Sequence, residues 1–243
     1  MTSPRRTSVT LLALTTLALA VGGILPLESG AATKHTTTSS VLLATQTALL
    51  TETSVHVKVS THTGTTTASV VADIGKTSGR ETYVSGDETF TIEVTPTFAY
   101  LSGSEAGLIK LMDLTVDEQK KVGVQAIAMK KGSSAYSTFE SNLTSGTLAH
   151  LLPGATGTTL LPKRDASTGG YQLSWNDAAT SKSPASTTVI TISAGKKSLP
   201  IKEAVTSSEG KSETTFSRWG EAVTVQAPSS TVAYATVFPK KKK

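Results

Sequence analysis

Few side chains in this sequence could do chemistry, and they are scattered along it. His56 and His62 could supply half of a metal site, but no third ligand accompanies them at the spacing that zinc sites show. Residues 54–60 alternate strictly between apolar and polar positions, which predicts that His56 faces solvent from a strand. Asp117 and Glu118 fall at a predicted helix start, where negative charge stabilises the helix dipole. None of these groups predicts a catalytic or metal-binding centre.

The motifs of the common enzyme classes are missing as well. The sequence contains no G-x-S-x-G nucleophile elbow, no H-E-x-x-H pair, no phosphate-binding loop and no dinucleotide fingerprint. It contains no cysteine, which excludes disulfides, thiolate metal ligands, a cysteine nucleophile and lipid attachment to an N-terminal cysteine. We therefore expect a protein that is not an enzyme and that uses neither a cofactor nor a metal ion.

The positive charge of the chain lies at its two ends. The formal net charge is +5. The first 32 residues, which we call the leader, contribute +1 through two arginines and one glutamate. The remaining +4 equals the charge of four lysines at the end of the chain, Lys240, Lys241, Lys242 and Lys243. The body is therefore near neutral, whereas a nucleic-acid-binding domain would carry a basic patch. We expect no nucleic-acid partner. The basic tail, residues 239–243, is either solvated or contacts a membrane surface or an anionic wall polymer.

The first 32 residues have the pattern of a secretory signal peptide. Arg5 and Arg6 precede an apolar run over residues 9–25, and small residues follow it. The run is shorter than the roughly 20 residues that span a membrane, which favours cleavage over anchoring. We expect an exported protein, extracellular or in the cell envelope, which an uncleaved leader would tether to the membrane. Residues 33–40 are then a flexible linker, and residues 41–238 a single domain.

Strand patterns occupy most of that domain. A short helix is predicted over residues 41–50, and alternating segments separated by tight turns then predict an antiparallel meander. A second group of strands follows the middle of the chain and closes with an extended segment that contains Val223 and Val225. The predicted strands cover residues 54–60, 66–74, 80–84, 89–94 and 97–101, then 158–164, 171–175, 187–193, 199–205 and 212–218.

Between the two groups of strands, apolar residues recur at helical spacing. Ser104 is a predicted N-cap for a helix that places Leu108, Ile109, Leu111 and Met112 on one face. Thr115 begins a capping box with a glutamate three residues later. A strand is predicted over residues 124–129, and short helices over residues 134–143 and 147–152. Helices this short are unstable alone, so they must pack on the sheet.

The order of these elements resembles that of a known family. The closing segment, residues 216–228, and the strand, Gly-Lys turn and Leu-Pro of residues 188–205 are similar to those of the actinobacterial envelope lipoproteins related to LppX and LprG. The resemblance covers roughly residues 40–228. It implies a LolA-like α+β fold, in which a curved antiparallel half-barrel sheet carries short helices across its concave face. The acylated cysteine of that family is missing here.

The resemblance also implies a function, which is to bind or carry a lipid or lipoglycan acyl chain in an apolar cavity between sheet and helices. The alternative is a non-enzymatic surface protein, structural or interacting, with a filled core. We expect a monomer in either case. The candidate cavity residues are Phe90, Ile92, Tyr100, Leu108, Leu111, Met112, Tyr136, Phe139, Leu148 and Leu151.

Overall fold

The computed structural model describes residues 37–144, 148, 152, 157–161, 163–180 and 184–239. In this part of the chain, twelve strands form one open sheet and five short helices accompany them, so the predicted α+β class is confirmed. The helices are α1 (Thr38–Thr51), α2 (Glu105–Met112), α3 (Val116–Val122), α4 (Ser134–Leu143) and α5 (Tyr234–Val237). The strands are β1 (Val55–Thr63), β2 (Thr66–Ile74), β3 (Gly79–Ser85), β4 (Glu88–Val94), β5 (Phe98–Gly103), β6 (Ala126–Lys130), β7 (Thr159–Leu160), β8 (Tyr171–Asp177), β9 (Ser186–Ile192), β10 (Pro200–Ser207), β11 (Gly210–Ser217) and β12 (Thr231–Ala233).

Two meanders meet at the centre of the sheet. The strand order is β12-β6-β5-β4-β3-β2-β1-β11-β10-β9-β8-β7, so β1 joins the first meander to the second through β11. These neighbours pair antiparallel except for β12, which runs parallel to β6. Thr-rich, β-branched sequence favours the long central strands β1 and β2. Pro200, which lacks a backbone donor, begins β10 as the sequence predicts.

One face of the sheet, which we call the inner face, carries the main apolar cluster. Because directly paired residues point to the same side, the register aligns Val57 with Ala72 and Ile92 with Leu101 in rows across the strands. These residues are buried together in one core with the apolar sides of α2 and α4. The opposite side, the outer face, carries polar and charged residues such as Arg80 and Glu93, which form an ion pair.

Helices α2, α3 and α4, which we call the helical cover, form where their capping residues predict them. Ser104 Oγ accepts a hydrogen bond from Gly107 N at 3.1 Å and thereby begins α2, and Thr115 and Glu118 form the predicted capping box of α3. Helix α4 has the predicted bounds and contacts β2 through β6. In the described part of the chain, no helix is both long enough and apolar enough to cross a membrane.

A second, smaller cluster lies on the inner face of the other half of the sheet. Val41 and Leu42 of α1 pack there against Leu173, Ile190 and Ile192 of β8 and β9. The last turn of α1 instead reaches the main cluster through Leu49. Leu152, from the segment between α4 and β7, packs against both clusters. Helix α1 therefore bridges the two halves of the inner face.

Some boundaries differ from the sequence prediction. Helix α1 begins at Thr38, because Thr37 and Ser40 form a capping box, so the expected linker ends earlier than residue 40. Ile109 lies on the exposed side of α2, whereas Leu108, Leu111 and Met112 are buried. Strand β7 keeps only two residues of the predicted segment 158–164.

The predicted closing strand is also wrong. Residues 221–230, which we call the strap, make no strand pairing. They connect β11, in the middle of the sheet, to β12 at its edge, and Val223 and Val225 are half-buried while their neighbours are exposed. The alternation is therefore real, but it reflects packing against the rest of the fold. Side chains hold the strap instead, since Ser78 Oγ donates to Val223 O at 3.1 Å.

Candidate ligand site

Eight of the ten candidate cavity residues come together in the main cluster. They lie on strand β4, on helices α2 and α4 and in the segment after α4, and each is between 0 and 7% exposed. The helical spacing that predicts one-sided helices thus places their apolar sides on the sheet. The eight residues are Phe90, Ile92, Leu108, Leu111, Met112, Tyr136, Phe139 and Leu148. Leu151 lies outside the described residues, as do Lys240, Lys241, Lys242 and Lys243.

Tyr100 is the exception, and its placement corrects the prediction. It pairs directly with Glu93, whereas its neighbour Leu101 pairs with Ile92, so Tyr100 lies on the outer face. It is buried there and its ring stacks on that of Phe98, with 5.9 Å between the ring centroids. Successive strand residues alternate between faces, which excludes Tyr100 from a cavity on the inner face.

A row of half-buried residues crosses the inner face beside the two clusters. The register aligns Ala68, Thr61, Ser212, Val205 and Trp175 in β2, β1, β11, β10 and β8, with Thr188 of β9 between the last two. All five are only partly covered, whereas most residues of the adjacent row on the cluster side are buried, namely Val70, Val59, Glu203, Ile190 and Leu173. We call these five residues the rim row. They leave the inner face accessible along one side of the sheet.

Glu81 breaks the apolar pattern of the main cluster. Its register partners on β2 and β4 are Ala72 and Ile92, and α4 covers β3 from above. The side chain is 1% exposed, and its Oε2 atom has no hydrogen-bond partner among the described residues. Burial raises the pKa of the Glu81 carboxyl from its ordinary value of 4.5 to about 7, because the charged form loses its hydration.

Glu203 is a second buried carboxyl on the inner face. It lies on β10, one row away from the rim row, and pairs with Thr214 of β11 and Ile190 of β9. Burial, with a smaller contribution from the negative charge of Asp177, raises the pKa of the Glu203 carboxyl to about 7. Four strand spacings separate β10 from β3, so the two carboxyls are roughly 20 Å apart.

The sequence carries a signal for Glu81, although this residue belongs to no catalytic motif. In a strand, positions two apart share a face, so Glu81 shares the face of Tyr83, which belongs to the core. Glu203 has a similar signal, because it shares the face of Val205. A charged residue in phase with apolar residues is unusual, and buried charge normally requires a partner.

On the outer face, a polar groove of about 290 Å³ lies between the sheet and the strap. His56 lines this groove and is 8% exposed, so its predicted solvent-facing position is wrong. Its Nδ1 lies 2.7 Å from Asp73 Oδ1, and the guanidinium of Arg218 contacts both residues. The prediction failed because Arg218 and the strap come from sequence far from β1. Within this cluster the negative charge of Asp73 pairs with the positive charge of Arg218.

The histidines do not form a metal site in this structure. Within the described ranges, no group of three His, Cys, Asp or Glu side chains could hold a metal ion. His56 is occupied by Asp73 and Arg218, while His62 is exposed and lies beside Ser60 and Thr67. The groups that remain to recognise a ligand are therefore the apolar inner face and its two carboxyls.

No family model and no curated protein matches the chain. Solved structures that are similar to it include two mycobacterial proteins and one Thermus protein. The lipoprotein LppX of Mycobacterium tuberculosis shares 17% identity over 78% of this chain and 98% of its own, with a TM-score of 0.49. LprF of Mycobacterium bovis shares 16% over 79% and 96%, with a TM-score of 0.47. An uncharacterized conserved protein of Thermus thermophilus shares 9% over 80% and 98%, with a TM-score of 0.41. All three identities are below 25%, so the function must be inferred from this chain's own residues.

Proposed function

We propose that this protein binds the acyl chain of a lipid or lipoglycan on the inner face of its sheet, beneath the helical cover, and acts as a carrier in the cell envelope. The observation that carries the proposal is the rim row. It is a half-buried strip beside the two apolar clusters, along which the inner face is accessible. The resemblance found in the sequence implies the same role.

The energetics of an acyl chain suit such a site. Each buried CH₂ group contributes about 0.8 kcal/mol, so a long chain gains most of its affinity from apolar contact. The inner face offers that contact across both clusters, and Leu152 connects them. Helices α1, α2 and α4 arise from separate parts of the chain, and the proposal requires that they shift relative to one another to admit the acyl chain.

A second candidate is a surface protein with a filled core, structural or interacting in role. All eight described candidate residues are buried, which favours this alternative, because a core filled by the protein's own side chains buries them in the same way. This alternative predicts that the inner face takes up no lipid. A single measurement of lipid binding therefore distinguishes the two functions.

The test uses energy transfer to an uncharged conjugated polyene acyl ester. The chain has two tryptophans, and Trp175 belongs to the rim row. Trp219 lies elsewhere, where its Nε1 donates to Pro200 O at 3.1 Å, so a Trp219→Phe background leaves Trp175 as the sole donor. We expect saturable quenching of Trp175 by the probe, with one site per protein.

Two variants of β10 locate the site. Val205 lies in the rim row, and the adjacent Thr206 is exposed on the outer face. Val205→Lys places a charge beside the acyl chain and should weaken probe binding at least about tenfold, equivalent to about 1.4 kcal/mol. Thr206→Lys adds the same charge on the other face and should leave binding unchanged. Equal effects of the two variants, or no saturable quenching, would contradict the proposal.

Export and the basic tail belong to the same proposal. A cleaved leader would release the carrier into the envelope, and each lysine of residues 240–243 would contribute about 1 kcal/mol at an anionic membrane surface. Vesicles containing phosphatidylglycerol should bind the full chain more tightly than a variant that ends at residue 239. If the two proteins bind equally, the tail has no part in membrane contact.

A further inference from the structure

Glu81 brings a carboxyl group into the apolar main cluster on the inner face. It stands in the row of Ala72, Ile92 and Leu101, all of them buried and apolar. A buried polar group normally has a hydrogen-bond partner, yet Glu81 Oε2 finds none in the part of the chain that the structure describes. A ligand that supplied a donor would satisfy this atom.

The groups around Glu81 do not supply that donor. Tyr83 lies on the same strand face, but its hydroxyl makes no hydrogen bond to Glu81 Oε2 and accepts one from Lys110 Nζ at 3.3 Å. On α4, the Tyr136 hydroxyl donates to Thr95 O at 2.9 Å and also contacts Glu140. β2 and β4 place Ala72 and Ile92 opposite Glu81. The titratable side chains in these contacts, on β3, α2 and α4, are Tyr83, Lys110, Tyr136 and Glu140.

The chemistry of a carboxyl group limits what can pair with it. An ionised carboxylate only accepts hydrogen bonds, whereas a protonated one also donates. A hydroxyl group does both and so suits either state of Glu81. A fatty acid anion would bring a second negative charge beside the first, and an ammonium group would itself have to be desolvated. A hydroxyl is thus the favoured partner.

We infer that Glu81 is a specificity-determining contact for the bound lipid and that it selects a hydroxyl-bearing acyl lipid over a fatty acid anion. This inference rests on the proposed acyl-chain binding and adds the headgroup chemistry to it. Glu203 is the other buried carboxyl of the inner face, but it lies in the other half of the sheet. Its removal should therefore leave the selectivity in place.

The test compares two lipids with the same acyl chain, 1-monooleoylglycerol and oleate, as competitors of the polyene ester at pH 6 and pH 8. The pKa of Glu81 is about 7, so its ionised fraction rises strongly between these conditions. Selectivity of the wild-type protein for the monoacylglycerol should rise on the order of tenfold from pH 6 to pH 8. Oleate's own titration is common to all variants and cancels in their comparison.

Glu81→Gln should abolish the part of this rise that depends on the protein. Glu81→Leu, which carries no side-chain amide, is the second variant and should have the same effect. Glu213→Gln is the matched control, since Glu213 is an exposed strand glutamate paired with Lys202. It should behave as the wild type. The inference is overturned if Glu81→Gln keeps the full rise, or if Glu203→Gln removes it instead. Failure of both lipids to displace the ester from any variant would overturn the proposed function itself.

Discussion

The stability of the lipid-free protein should fall as the pH rises from 5 to 8, and Glu81 should account for about half of the fall. Burial raises the pKa of this carboxyl from 4.5 in the unfolded chain to about 7 in the folded protein. The folded state therefore holds a proton that the unfolded state releases at lower pH. The stabilisation that this proton provides is fully present below pH 4.5 and is lost progressively until the pH passes 7.

The magnitude follows from the difference in pKa. A difference of roughly 2.5 pKa units corresponds to about 3 kcal/mol, most of it lost between pH 5 and pH 8. Glu203, whose pKa is also raised to about 7, should contribute a similar amount with the same sign. Asp165 has its pKa lowered to about 2 by hydrogen bonds from Ser167 and Thr168, so its stabilisation is lost only in stronger acid.

Urea unfolding at several pH values between 5 and 8 measures this dependence. Glu81→Gln should reduce the slope of unfolding free energy against pH by about half, and the double variant with Glu203→Gln should nearly flatten it. Glu213→Gln, in the exposed pair with Lys202, should retain the wild-type slope. An unchanged slope in Glu81→Gln, or wild-type stability that rises between pH 5 and 8, would refute the assigned burial.

Three further substitutions and one control substitution test the helical cover. Phe139→Ala should cost about 3–5 kcal/mol in urea unfolding because Phe139 is fully buried, while Ser141→Ala, exposed on the same helix, should change it by less than about 0.5 kcal/mol. Ser104→Ala removes the N-cap of α2 and should cost about 1 kcal/mol by the same assay. Gly107→Ala should lower the melting temperature, although alanine favours helices, because its Cβ would lie 2.2 Å from Thr89 O. An unaltered or raised melting temperature for Gly107→Ala would contradict the close contact of α2 with β4.

The local pattern predicted most of the fold because strand alternation and helix caps depend on neighbouring residues. Strand β2 and helix α4 have the predicted bounds, and the caps at Ser104 and Thr115 form as expected. Strand β12 and helix α5 were missed, since they span only a few residues and depend on parallel pairing with β6, far away in sequence.

The candidate site shows the same division. The apolar sides of α2 and α4 follow from helical spacing, and the structure brings them together with Phe90 and Ile92. The face of the sheet on which Tyr100 lies cannot be predicted from the local sequence, because the turn at Thr95 interrupts the strand alternation. Only the pairing of Tyr100 with Glu93 determines that face. The burial of His56 likewise depends on Arg218, which is distant in sequence.

Native mass spectrometry of the protein purified without detergent tests lipid binding most directly. After incubation with a mixture of acyl lipids, we expect one lipid per chain, retained by the wild-type protein and by Thr206→Lys but reduced in Val205→Lys. A protein that keeps its lipid-free mass under all loading conditions would show that the inner face is closed by its own side chains, and the carrier function would be wrong.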